Sequence, residues 1–77
     1  MTPVYDFVAD DETTNQALAR LGYVHRSQGS NMPGHIYRLR DGKHVASPRT
    51  VFATNVWIRL ECPDVDGATF YESGRYL

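Results

Sequence analysis

The chain is short of what most function classes require. Its 77 residues include one cysteine, Cys62, which excludes an internal disulfide and fits a reducing compartment. No apolar run approaches the roughly 18 residues of a transmembrane helix, so no membrane role is expected. The opening residues lack a basic start followed by an apolar stretch; no secretory signal is expected, and the expected location is the cytoplasm. Repeats, low-complexity tracts and linkers are missing. So are the P-loop and GxGxxG patterns that cradle phosphates, and the GxSxG elbow that presents a nucleophilic serine. His25, His35 and His44 lie far apart, none at i, i+4 and none beside a second ligand type, so the spacing of a zinc site is missing. Asp64 and Asp66 start like a calcium loop, but Gly67 comes too early and no glutamate holds the twelfth position. Cys62, on the predicted inward face beside Pro63, lacks the exposed electropositive setting of a catalytic thiol and is expected to pack as a small hydrophobe. These absences, in a chain too small to enclose a pocket beside a core, argue for a protein that is not an enzyme and carries no cofactor or metal.

What is present fits one small domain spanning 1–77. A chain of this length buries only roughly 60–65% of the surface its unfolded form exposes, so its core is a single thin layer. The charges are segregated. From Arg20 to Arg59 seven basic residues face one acidic residue, Asp41, whereas the rest of the chain holds eight acidic residues and one basic, Arg75. These halves either neutralise each other in space or leave a bipolar surface with one pole free for binding.

Read in order, Thr2-Pro3-Val4-Tyr5-Asp6-Phe7-Val8-Ala9 alternates as a strand, with the Tyr5/Phe7 side toward the core. Asp10-Asp11-Glu12 supplies a helix start, since carboxylates there accept from orphan N–H groups and suit the positive end of the helix dipole. The helix runs from Thr13 to Leu21 and stops at Gly22; its narrow stripe of Ala17, Leu18 and Leu21, extended by Thr14, suits packing on a sheet. The segment Gln16 to Gly22 resembles the start of a helix-turn-helix, but Tyr23 to Arg26 reads as a strand, where a recognition helix is required. Residues 27–34 form a loop rich in Ser, Gly and Asn.

Asp41-Gly42 between two alternating runs is a strong hairpin signal. A two-residue loop pairs Arg40 with Lys43, Leu39 with His44, Arg38 with Val45 and Tyr37 with Ala46. A three-residue loop pairs Leu39 with Lys43. The first register crowds Arg38, Arg40 and Lys43 onto one face, a like-charge arrangement that costs up to roughly 1 kcal/mol per opposed pair unless anions, internal or from a partner, offset it. Ser47 to Asn55 is open between a short helix, with Ser47 as cap and Pro48 at its first position, and a strand favoured by its β-branched residues. Val56 to Cys62 alternates as a strand, turning Val56, Ile58, Leu60 and Cys62 inward and Trp57, Arg59 and Glu61 outward. A turn at Pro63-Asp64-Val65-Asp66-Gly67, a last strand from Ala68 to Glu72 and a loosely held tail complete the chain. The expected fold is α+β: one short helix packed on a small, mostly antiparallel sheet of about five strands, in the order β-α-β-β-β-β.

The candidate binding residues are Arg38, Arg40 and Lys43 of the hairpin, Arg26 and Arg49 near them in sequence, and Tyr37 and Trp57 interleaved among them. Arginine, tyrosine and tryptophan dominate protein–protein hot spots, and basic and aromatic residues on a small sheet also track nucleic acid. A pI near 6.2 is low for a general nucleic-acid binder. In size and make-up the chain resembles the broad class of small, free-standing proteins encoded by phages and mobile elements, anti-CRISPR inhibitors among them. That resemblance attaches to no particular residue. With that resemblance, the absence of chemistry and the Arg/Tyr-rich hairpin, the expectation is a non-enzymatic inhibitor, monomer or homodimer, that docks through the basic/aromatic hairpin on a host protein or nucleoprotein complex and blocks it sterically. The alternative is a small nucleic-acid-binding regulator.

Overall fold

The computed structural model describes residues 13–26 and 34–77. The strand expected over 2–9, the acidic residues 10–12 and most of the 27–34 loop lie outside the described residues. The first helix, α1, spans Thr14–Leu21. Its cap is Thr13, one residue beyond the expected acidic run. The Thr13 hydroxyl accepts from the Gln16 N–H at 3.1 Å, and the Gln16 side chain accepts from the Thr13 N–H at 2.8 Å. This reciprocal pair satisfies two donors that the helix leaves open. Gly22 ends the helix at φ 96°, where a Cβ is disfavoured.

Three antiparallel strands follow: β1, Tyr23–Arg26; β2, His35–Arg38; and β3, His44–Pro48. A second helix, α2, spans Val51–Arg59, and β4 spans Thr69–Phe70. The described strands form one sheet in the order β1-β2-β3-β4, an α+β fold with two helices. Because α2 crosses between them, β4 returns parallel to β3, and the sheet is mixed. Pro48 does not disturb this pairing: the N–H groups facing β4 belong to Ser47 and Arg49, which donate to Ala68 and Phe70 at 2.9 and 3.0 Å.

The main correction is α2, which occupies most of the segment expected as the Val56–Cys62 strand. Thr50 caps it, its hydroxyl accepting from the Ala53 N–H at 2.9 Å. Ala53, Trp57 and Ile58 then fall on one buried helical stripe. The β-branched residues between them carry only a weak intrinsic preference, which packing on the core overrides. The tail expected to hang loose is also pinned, by a Phe70–Tyr76 bridge and a Leu77 N–H bond to the Thr69 carbonyl at 3.0 Å.

Cross-strand partners point to the same face, so the registers assign the sheet's two sides. One side holds Tyr23, Ile36 and Ala46, and it meets Ala17 and Leu18 of α1 and Ala53, Trp57 and Ile58 of α2 in the buried core, with Phe70. Trp57 is fully buried; its indole N–H donates to the Pro63 carbonyl at 2.8 Å, and Tyr23 meets it at 5.0 Å in an edge-on arrangement. The opposite side holds Val24, Arg26, His35, Tyr37 and His44, and no described helix lies on it.

Candidate functional site on the open face of the sheet

The hairpin turns in neither expected register at its tip. The Arg38 N–H donates to the Lys43 carbonyl at 2.8 Å and the Gly42 N–H to the Arg38 carbonyl at 2.7 Å, closing a four-residue loop from Leu39 to Gly42. An irregularity between Ile36 and Tyr37 restores the Ile36–Ala46 pairing that the three-residue loop implies. Asp41 explains the longer loop. Its carboxylate accepts from the Lys43 N–H at 3.1 Å and from Arg38 Nε and Nη2 at 3.0 and 2.7 Å, a two-pronged grip.

Internal anions offset the hairpin cations. Lys43 Nζ lies 2.7 Å from Asp64 and 3.0 Å from Asp66, and Arg38 reaches Asp64 at 3.8 Å. Both aspartates sit on the turn after α2, so the acidic end of the chain folds onto the basic middle. The hydrogen bond from Arg38 holds the Asp41 carboxyl well below the usual carboxylate range, helped by the Lys43 backbone. That from Lys43 lowers Asp64, helped by the Asp66 backbone. Arg38 and Lys43 are raised in return, chiefly by Asp41 and by Asp64. Of the hairpin's three cations only Arg40, exposed on the tip, has no ion pair among the described residues.

The other expected site residues do not gather around that tip. Trp57 is in the core, because a helix replaced the strand that turned it outward. Arg26 is exposed, three residues along β1 from the Tyr23–Arg38 pair, roughly 10 Å of strand away. Arg49 is exposed just past β3, toward the Arg26 end of the sheet. Tyr37 is half-buried on the open face.

That face carries an arrangement the sequence concealed. Tyr37 pairs with His44, their rings 5.1 Å apart and tilted by 33°; His35 meets His44 edge-on at 4.9 Å. Beneath them Ser47, buried, lies 3.0 Å from His35 Nδ1 and 2.8 Å from His44 Nε2, and its hydroxyl donates to the Gly67 carbonyl at 2.9 Å. Proton counting fixes the roles. A serine hydroxyl has one hydrogen, and a carbonyl can only accept. The Ser47 proton therefore belongs to Gly67, and both histidines donate N–H to the serine oxygen. With the Ser47 proton directed to Gly67, the trio clamps two ring orientations.

The third histidine, His25, stands on the helix side against Gly34, where a Cβ would lie 1.8 Å from its Nε2; burial, then the nearby His35, lowers its pKa. All three histidines thus sit on adjacent strands, which their sequence spacing hides. Among the described residues no group of three or more His, Cys, Asp or Glu is placed to hold a metal ion.

A shallow groove of about 470 Å³ opens where the two helices end, lined by Leu21, Tyr23, Ile58 and Cys62 with Arg20, Arg59 and Glu61 around them. Its cysteine packs against the core, and burial pushes the thiol up to about 11, far from the thiolate a nucleophile requires. No described helix is long and apolar enough to cross a membrane. Comparison of the chain with protein-family models, with curated proteins and with solved structures finds no match.

Proposed function

We propose that this chain is a small binding protein without catalytic chemistry of its own, which docks on a larger nucleoprotein complex and blocks it sterically. The open face of the sheet is the docking surface, in place of the charged hairpin tip. The observation that carries this reading is the fixed cluster of Tyr37, His35 and His44 beside Arg26. Its two histidine rings are oriented by the Ser47 clamp before any partner arrives, and Tyr37 packs on one of them. Side chains already held in one arrangement lose little freedom on binding, and tyrosine and arginine are the residues that most often anchor interfaces. The hairpin serves the fold: Arg38 and Lys43 tie it to the Asp64–Asp66 turn, and a partner would have to displace those ion pairs to use them. The same size and composition fit an inhibitor encoded by a phage or mobile element, of the anti-CRISPR kind, acting in the host cytoplasm.

Calorimetric titration against candidate nucleoprotein complexes tests the reading. An Arg26→Glu/Tyr37→Ala double variant should weaken binding about tenfold or more, with Arg40→Glu close to wild type. The opposite pattern returns the docking site to the hairpin tip and removes the sheet face from the account.

A further inference from the structure

We infer that the open sheet face takes a single-stranded nucleic-acid segment, its bases lying against Tyr37, His35 and His44 and its phosphates meeting Arg26. This rests on the reading of that face as the docking surface and names what it contacts.

Three features favour this occupant. The first is charge. The strands β1, β2 and β3 contain no carboxylate. The described aspartates, Asp41, Asp64 and Asp66, are engaged by Arg38 and Lys43 at the turn end of the sheet. Arg26, exposed beside His35 at the other end, has no ion pair among the described residues, and Arg49 stands toward that same end. Among the described residues an anionic polymer therefore meets Arg26 and Arg49 there and no row of acids, Glu72 standing past the end of β4.

The second is the shape of the anchors. Among the described residues of β1, β2 and β3 that the registers place on this face are flat rings and one planar guanidinium, with Val24 the one aliphatic member of those pairs. Flat π surfaces suit unpaired bases, which stack on aromatic and arginine planes whatever their sequence.

The third is scale. With Arg26 and Arg49 as the cations in reach, only one or two phosphates can be neutralised, too few to hold a duplex whose bases are turned inward. Binding should accordingly be modest and only mildly sensitive to salt, with a slope of about −0.7 per phosphate for a single strand.

The test is fluorescence anisotropy with labelled 12-nucleotide oligothymidylate and oligouridylate and a 12-base-pair duplex, at 50 and 200 mM salt. The expected result is saturable binding of the single strands, little binding of the duplex, and a loss of about three- to sevenfold between the two salt conditions. Tyr37→Ala should weaken binding by about fivefold or more. Val24→Glu, which places a carboxylate in the row while keeping the rings, should do the same if Tyr37→Ala unfolds the chain. Arg59→Ala, on α2 on the helix side of the sheet, should bind as wild type. No saturable binding at 50 mM salt, equal binding of duplex, or wild-type binding by Val24→Glu overturns the inference. If the single strands fail to bind while Arg26→Glu/Tyr37→Ala still weakens a complex by calorimetry, the docking face stands and its occupant is protein. If neither responds, both readings fall.

Discussion

Ser47 donates its only hydroxyl proton to the Gly67 carbonyl, 2.9 Å away, and that bond makes two histidines donors. It joins β3 to the turn after α2 and fixes the rings on the sheet's open face. Ser47→Ala leaves two half-buried N–H groups and a carbonyl without their common partner. The expected loss is about 1–3 kcal/mol in chemical denaturation. Loss of the chemical-shift dispersion of the His35 and His44 ring protons should accompany it, whereas a purely local packing defect would leave those signals sharp.

Gly67 itself tolerates no side chain. It lies at φ 76°, and a Cβ there would stand 2.7 Å from His44 Nδ1. Gly67→Ala combines backbone strain with displacement of the His44 ring, and should cost about 1–2 kcal/mol or more. Thermal unfolding should show it melting well below wild type, with Gly42→Ala, which meets open space, paying the backbone cost alone.

Glu61 occupies the position after α2 where helices usually place glycine. The Cys62 N–H donates to the Trp57 carbonyl at 3.0 Å and the Glu61 N–H to the Ile58 carbonyl at 2.9 Å, a Schellman ending with Glu61 at φ 67°. Glu61→Gly should therefore stabilise the fold by up to about 1 kcal/mol, seen as a higher denaturation midpoint. Trp57→Ala, by contrast, opens the centre of the core and should cost about 3–5 kcal/mol.

Stability should fall in two steps on acidification. His25 is lowered by burial from an ordinary 6.5, so the unfolded chain takes up its proton first and stability starts to drop as pH falls through about 6.5. Asp41 and Asp64 are lowered from 3.8 by their cationic partners. Their contribution is present above that value and lost as pH falls below it. Added salt should shrink the second step, since those pairs are exposed. Denaturation midpoints from pH 8 to pH 2 at two salt concentrations check both; an Asp41→Asn/Asp64→Asn variant should lack the lower step.

How much of this was legible in the sequence depends on how local the cause is. Helix α1 is readable because Gly22 and the Ala17/Leu18 stripe sit within a few residues of each other. The hairpin is readable from Asp41-Gly42. Its register is not, because the Asp41 carboxylate grips Arg38 and Lys43 and so selects a longer loop. The alternation of Val56, Ile58 and Leu60 imitates a strand, and only the Thr50 cap and the fit of Trp57 beneath Tyr23 decide for a helix. The proposed docking surface was the least legible part. His35, His44 and Ser47 become neighbours only through strand pairing, and the charge segregation that drew attention to the hairpin is spent on the contacts of Lys43 and Arg38 with Asp64 and Asp66.

The most direct test of a docking face on the open side of the sheet is an amide NMR titration of the labelled protein with oligothymidylate. The account predicts shifts concentrated at Val24, Arg26, His35, Tyr37 and His44, with the loop from Leu39 to Gly42 unmoved. Shifts confined to that loop, or to the helices on the other side, would contradict it.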